Sequence, residues 1–267
     1  MAAMLSDDAR RVAADALRDA ERHRSPIIPL RHTYPGLDVV DAYEIQLLNV
    51  RRRLEAGATV HGHKVGLSSL AMQEMMGVDE PDYGHLLSDM KLEELAPPIE
   101  AARYCYPRVE TELAFILGES LPGEGCTEDD VLRATEFVAP AIELIDSRIK
   151  DWDIQIGDTI ADNASSAGYA LGELWAKPED VDLLGMVGRL INNGTEVASG
   201  RSDAVLGNPA TSVAWLARKV AAFGVTLEAG HVILPGSVHR AVDVHPGDEF
   251  EVLFDGFPDA YVCLKFV

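Results

Sequence analysis

In the first part of the chain, apolar positions recur at helical spacing. Leu5, Ala9, Val12, Ala16 and Ala20 predict one helix, with Ser6 as the cap that accepts a free first-turn N–H. Val40, Tyr43, Leu47, Val50 and Leu54 form a second stripe. It predicts a helix from about Val39 to Glu55, capped by Asp38 and stopped by Gly57, with Arg51, Arg52 and Arg53 on its solvated side. From about residue 59 the period shortens. Thr59 to Leu67 reads as a strand entering a turn, followed by a short helix from Leu70 to Met76 in which Met72, Met75 and Met76 fill core. Further strands are predicted at Val109 to Leu117, Ala139 to Ile145, Ser166 to Leu171, Met186 to Asn192, His231 to Leu234, Glu249 to Phe254 and Tyr261 to Phe266. A capping box at Thr127 to Asp130 opens a helix to about Phe137, and Asn208-Pro209 opens another from Ala210 to Phe223. Asn193-Gly194 is a tight hairpin turn. Helices lead and a largely antiparallel β region follows, which is an α+β pattern. We expect one continuous domain with an N-terminal helical segment, 1–58, and a β-rich catalytic region, 59–267.

Composition narrows the partners. The formal net charge is −21 over 267 residues, so the surface repels nucleic acid and anionic lipid, and neither is an expected partner. No apolar run reaches the roughly 18 residues that span a bilayer. The N-terminus is amphipathic and carries acids throughout, unlike a signal or transit peptide, so the expected location is cytoplasmic. Cys105, Cys126 and Cys263 are odd in number and widely spaced, which suits neither a disulfide framework nor a zinc motif. There is no GxGxxG and no P-loop. The charge also sets a requirement: an anionic substrate needs a local cation in its pocket.

Acids in apolar runs mark the candidate chemistry. Glu110 and Glu112 are two apart in a predicted strand, so both carboxylates share a face, and Glu143 interrupts another apolar run. Brought together without a cation, they would repel and take up protons; a hard divalent ion with oxygen ligands resolves that conflict. The alternative is that Glu110 and Glu112 line the wet face of an edge strand. Lys64 sits inside an apolar strand, either snorkelling outward or held near the carboxylates and an anionic substrate. Asp82 is a general-base candidate or a turn former, and His85 a neutral-pH titrating group or a structural residue. The small polar run from Asp158 to Ser166, including Ser165, and the Gly236-Ser237 pair after Pro235 can each cradle a carboxylate or be plain loop.

Six blocks in order carry a family resemblance: GHKVGLSS, MMGVDEPDYGHLL, RVETELAF, APAIELIDSRI, DTIADNASS and LPGS. Together they resemble the 2-hydroxypenta-2,4-dienoate (2-keto-4-pentenoate) hydratases. These group with the 4-oxalocrotonate decarboxylases inside the fumarylacetoacetate hydrolase superfamily. The stretches DAYEIQ, SDAVLGNP and HPGDEF extend the likeness from about Asp38 to the C-terminus, and the wording looks closest to hydratases of bacterial steroid-ring degradation. The resemblance implies N-terminal helices followed by a mixed β-sandwich roll. It implies a Mg²⁺ or Mn²⁺ ion held by Glu110, Glu112 and Glu143, with Lys64 and Asp82 as pocket residues and Leu87 at a position whose backbone meets the substrate. It further implies a 2-hydroxydienoate substrate and a homo-oligomer, a pentamer or decamer, with association to the pathway's aldolase or decarboxylase as a possible partnership. Asp82 is the first candidate for proton transfer, ahead of Asp158, Asp162 and Ser165. Competing readings are a decarboxylase, which would need a further cation such as Arg148 or Arg240; a C–C hydrolase; and a catalytically silent assembly partner.

Overall fold

The structure is a computed structural model that describes residues 4–69, 73–74, 77–93, 97–257 and 261–267. The helix expected from Leu70 to Met76 lies largely outside the described residues. Helix α1, Asp7–His23, is capped by Ser6 as its sequence predicts, but its buried face is Ala13, Ala14, Leu17 and Ala20, while Val12 is 60% exposed. Alanine occurs on both sides of this helix, so spacing alone could not choose the face. A short α2, Leu30–Thr33, leads to α3, Val39–Glu55, which has the expected bounds and the expected Asp38 cap. Val40 and Leu54, expected in its apolar stripe, are exposed, and Ile45 and Gln46 are buried instead. Arg10 of α1 donates to the buried Asp41 carboxylate at 2.6 Å and so ties α1 to α3.

Eleven strands follow among the described residues: β1 Val60–Gly66, β2 Asp82–Leu87, β3 Arg108–Leu117, β4 Thr135–Ile145, β5 Ser166–Leu171, β6 Val187–Asn192, β7 Thr195–Arg201, β8 Val232–Leu234, β9 Val242–Asp243, β10 Glu249–Phe254 and β11 Tyr261–Lys265. Helices α4, Glu128–Ala134, α5, Ile156–Ala161, and α6, Pro209–Ala221, punctuate them. The helix expected to reach Phe137 stops at Ala134, where Thr135, Phe137 and Val138 favour extended backbone and lengthen β4. Strand β2 occupies a stretch that reads as turn because of Pro81, Asp82 and Gly84. Strand β7 gave little signal because its side chains are mostly exposed.

The first sheet runs β2-β1-β8-β3-β4-β5, with β9 also paired to β3; the second runs β11-β10-β6-β7. All pairings are antiparallel except β1 with β8. The Asn193-Gly194 turn joins β6 and β7, both residues having positive φ as the tight hairpin requires. The first sheet curls until its ends meet. The Leu92 N–H donates to Tyr169 O at 2.8 Å, and the Tyr169 hydroxyl crosses to His61 Nδ1 of β1 at 2.9 Å.

The curl gives every strand a convex and a concave side. On β3, Val109, Leu113, Phe115 and Leu117 face the main core with Phe250, Val252, Val262 and Leu264 of the second sheet. Alternate residues face inward, where Ala114, Ile116, Ala139, Ala141, Leu86, Leu234 and Tyr169 form a separate small apolar cluster. Glu110, Glu112 and Glu143 share this concave side.

A buried ion pair anchors the loop between β4 and β5. Arg148 Nε donates to Asp162 Oδ1 at 2.5 Å, its backbone N–H to Oδ2 at 3.0 Å, and Nη2 to the Asp162 carbonyl at 2.6 Å. Removing one partner leaves a charge in low dielectric. Arg148→Leu is therefore expected to lower the unfolding free energy by about 3–5 kcal/mol, measured by urea denaturation. A change under about 1 kcal/mol would contradict the anchoring role.

Candidate active site

Strand alternation brings the three glutamates together. Glu110 and Glu143 are directly paired across β3 and β4, and Glu112 lies one inward position further along β3, opposite Ala141. One oxygen from each carboxylate falls within 4.8 Å of the others. Glu112 and Glu143 are fully buried and Glu110 is partly exposed. Glu112 Oε2 accepts the Gly236 N–H at 2.7 Å. Its Oε1 and both Glu143 oxygens have no hydrogen-bond partner.

Burial and mutual repulsion raise Glu110 and Glu112. Glu110 is pushed up to about 7, chiefly by burial, with Lys64 pulling the other way. Glu112 is held well above the ordinary range by burial and then by Glu143 and Glu110. Unpartnered, desolvated carboxylate oxygens facing one another form a hard-cation donor set. This arrangement fits a divalent ion and decides against the wet-edge reading, because β3 lies in the interior of the sheet.

The buried cation facing these acids is Lys64. Its side chain is 3% exposed, with Nζ 3.3 Å from Glu143 Oε2 and donating to Ala164 O at 3.0 Å. It does not snorkel. Burial opposes its charge, and Glu143, Glu110, Asp82 and Glu112 outweigh that, so its pKa rises and it stays an ammonium. Asp82 opens β2, directly opposite Gly66 of β1. It is 1% exposed, and neither oxygen has a hydrogen-bond partner at normal distance. Burial pushes Asp82 up, with Lys64 drawing it down. Gly66 is what admits the Asp82 carboxylate: a Cβ there would stand 2.2 Å from Asp82 Oδ1.

The remaining predicted residues fall in different places. Ser165 lies in a turn beside Lys64, its hydroxyl buried and without a partner. Gly236, at φ +126°, turns its N–H onto Glu112, and Ser237 Oγ donates to Thr111 O at 3.3 Å, so this segment grips β3 between two of the acids. Leu87 stands at the far end of β2 from Asp82. Its side chain lies in the apolar cluster, and its N–H points at Met90 Sδ at 3.4 Å.

Four groups are occupied elsewhere. Asp158 is paired with Arg31 at 2.6 Å and caps α5 through the Gln155 N–H; Asp162 is held by Arg148. Neither is a free proton carrier, and Arg148 is not available to a substrate. Arg240 is exposed. His85 faces away from the acids toward α3, where Nδ1 lies 3.1 Å from Gln46 Oε1, and burial pushes it down to about 4, so it does not titrate near neutrality. Sequence reasoning missed Gly66, Asn163 and Ala164, which act through an absent Cβ, a side-chain amide and a carbonyl.

Residues 91–263 match the family model described as fumarylacetoacetate (FAA) hydrolase C-terminal. The chain is 43% identical to a 2-keto-4-pentenoate hydratase of Paraburkholderia xenovorans over 92% of this chain and 91% of that protein. It is 42% identical to a 2-hydroxyhexa-2,4-dienoate hydratase of Comamonas testosteroni, over 90% and 91%. Its structure superposes on a 4-oxalocrotonate decarboxylase from Pseudomonas putida G7, solved with magnesium and adipate, with a TM-score of 0.93 and 33% identity over 99% of both chains. The chain therefore belongs to the fumarylacetoacetate hydrolase superfamily and, within it, to the family of 2-keto-4-pentenoate hydratases and 4-oxalocrotonate decarboxylases.

Proposed function

We infer that this protein is a hydro-lyase that adds water to a short 2-hydroxy-2,4-dienoate, giving a 4-hydroxy-2-oxo acid in the meta-cleavage catabolism of aromatic rings. The observation that carries this reading is the largely buried Glu110, Glu112 and Glu143 cluster facing Lys64, in a chain 42–43% identical to hydratases of such acids. The finer reading is Mg²⁺ as the resident ion, with Mn²⁺ able to use the same oxygen ligands. The magnesium in the structurally similar decarboxylase supports it. Extension to steroid-ring catabolism, with the hexadienoate as substrate, rests on the resemblance and on the Comamonas relative. A cytoplasmic homo-oligomer of five or ten chains, working beside the pathway's aldolase or decarboxylase, belongs to the same proposal.

Glu110, Glu112 and Glu143 would hold the ion. When bound, it would supply Lewis acidity toward the oxygens of a 2-oxo acid. Three carboxylates around a dication leave a formal −1, which a substrate carboxylate worsens; the Lys64 ammonium offsets this and steadies the enolate that forms twice along the path. The dienol first loses its 2-OH proton and gains one at C5, giving a 2-oxo-3-enoate whose C4 is electrophilic. Water then adds at C4, and a proton delivered to C3 completes the product. Asp82 is the proposed proton carrier, because its raised pKa brings it nearer the working range of a general acid–base. Ser165, Gly236 and Ser237 are proposed to orient the substrate, and Leu87 to meet it through its backbone.

Decarboxylation of a diacid is the nearest rival. Its second carboxylate needs another cation. Arg148 is committed to Asp162 and Arg240 is exposed, which favours the hydratase. Supplying both substrates and following CO₂ separates the two: the account expects hydration without CO₂ release.

Glu143→Gln with added Mg²⁺ is expected to lower dienoate hydration by about 100-fold or more. Turnover at the wild-type level would remove the triad from the mechanism. Lys64→Ala is expected to cost a similar factor in kcat when assayed with saturating Mg²⁺, which answers the carboxylates that Lys64 leaves unpaired; normal turnover would exclude Lys64. The raised Glu110 makes metal binding compete with protons. Below about pH 7 the apparent Mg²⁺ affinity should fall by about tenfold per pH unit for each proton displaced, with proton release measurable by calorimetry in two buffers. The stability of the metal-free protein has the opposite sign. Folded Glu110 binds its proton more tightly than the unfolded chain does, so its contribution is present at low pH and fades as pH rises through about 7; saturating Mg²⁺ should remove that fade.

A further inference from the structure

Lys64 is held by a turn with unusual backbone. Asn163, Ala164 and Ser165 have φ of 57°, 51° and 57°, three consecutive non-glycine residues in the left-handed region. Asparagine tolerates that region, whereas alanine and serine enter it only when their surroundings impose it. The turn's backbone is tied at its far end, where the Ser165 N–H donates to Asp162 O at 3.0 Å and Ser165 O accepts from the Asp146 N–H at 2.8 Å.

At its near end the tie is a side chain. Strand β2 is an edge of the first sheet, so one row of its backbone groups lacks a strand partner. The Asn163 amide takes that place at His85: Oδ1 accepts the His85 N–H at 2.8 Å and Nδ2 donates to the His85 carbonyl at 3.0 Å. Gly84 lets the turn approach this closely, since a Cβ there would lie 2.3 Å from Asn163 O. The result is that the Ala164 carbonyl faces Lys64 Nζ at 3.0 Å.

We propose that Asn163 is the positioning residue for Lys64: its amide docks the left-handed turn on β2 so that the Ala164 carbonyl holds the ammonium against Glu143. An ammonium has three N–H donors. One goes to Ala164 O, which leaves two for the Glu143 carboxylate, whose Oε2 lies 3.3 Å away, and for an anionic substrate or its enolate. The Asn163 amide is hydrogen-bonded to the His85 backbone and not to the three acids, and acts through where Lys64 points. The kinetic part of this inference rests on the hydratase reading; the placement of Lys64 does not.

Asn163→Gly is the discriminating variant, because glycine accepts positive φ and only the two amide bonds are lost. Asn163→Asp is the second: it keeps the acceptor for the His85 N–H and loses the donor, so its effect should be intermediate. Two readouts are taken on the full chain with Mg²⁺. In dienoate hydration, Asn163→Gly should lose about tenfold or more in kcat with KM and Mg²⁺ affinity within about twofold of wild type. In timed acetylation with acetic anhydride and peptide mass mapping, Lys64 should label about tenfold faster than in wild type, as the turn opens more often, with exposed Lys150 unchanged as reference. Wild-type labelling of Lys64 in both variants would overturn the proposal. Parallel loss of kcat and Mg²⁺ affinity would also overturn it, as that marks collapse of the site rather than misplacement of one group. If the wild-type protein does not hydrate dienoates, the hydratase reading falls, and the labelling still decides the role of Asn163.

Discussion

Three carboxylates meet inside a curled sheet with one ammonium to answer them. This electrostatic conflict is the constraint on which the rest of the structure depends. Two of the acids are fully buried, and several of their oxygens have no hydrogen-bond partner. A fold tolerates such a group only if its surroundings over-determine its position. Here they do: Glu110 and Glu143 are locked in cross-strand register, Glu112 is gripped by Gly236, and Lys64 lies between Glu143 and the Ala164 carbonyl. A divalent ion would turn the repulsion into binding, and the buried charges that repel one another would set its affinity.

Much of the surrounding architecture serves to bring backbone close to that centre. Gly66 leaves out a Cβ where Asp82 and Lys64 converge, and Gly84 leaves one out where the left-handed turn docks. Inward-facing alanines at 114, 139 and 141 keep the floor beside the acids small and apolar. The Arg148–Asp162 pair lies behind the turn and fixes its entry. The chemistry thus rests on rigid sheet on one side and on a strained, well-anchored loop on the other.

How much of this was legible in the sequence depended on the kind of signal. Helix α3, strand β10 and the Asn193-Gly194 hairpin follow from periodicity and turn chemistry, which are local. The glutamates were visible because acids in apolar runs are costly without a reason, and the ordered motif blocks supplied the reason. Strand β2 was hidden because Pro81, Asp82 and Gly84 have turn propensities, and the strand forms through tertiary pairing with β1. Nothing in residues 163–165 announces three successive left-handed residues; that backbone is imposed by contacts from β2 and from the Asp146 and Asp162 backbone, distant in sequence or external to the turn. Asp158 and Asp162 read as acid–base candidates because they lie in a small polar run before a strand. Only the structure reveals that arginines hold them.

The central claim is that this carboxylate triad works as a divalent metal centre that the reaction requires. The most direct test strips the protein with a chelator and titrates Mg²⁺ back while following the loss of 2-hydroxydienoate absorbance. The account predicts no turnover in the stripped protein and full recovery at one bound ion per chain. Full turnover in the rigorously metal-free protein would contradict it.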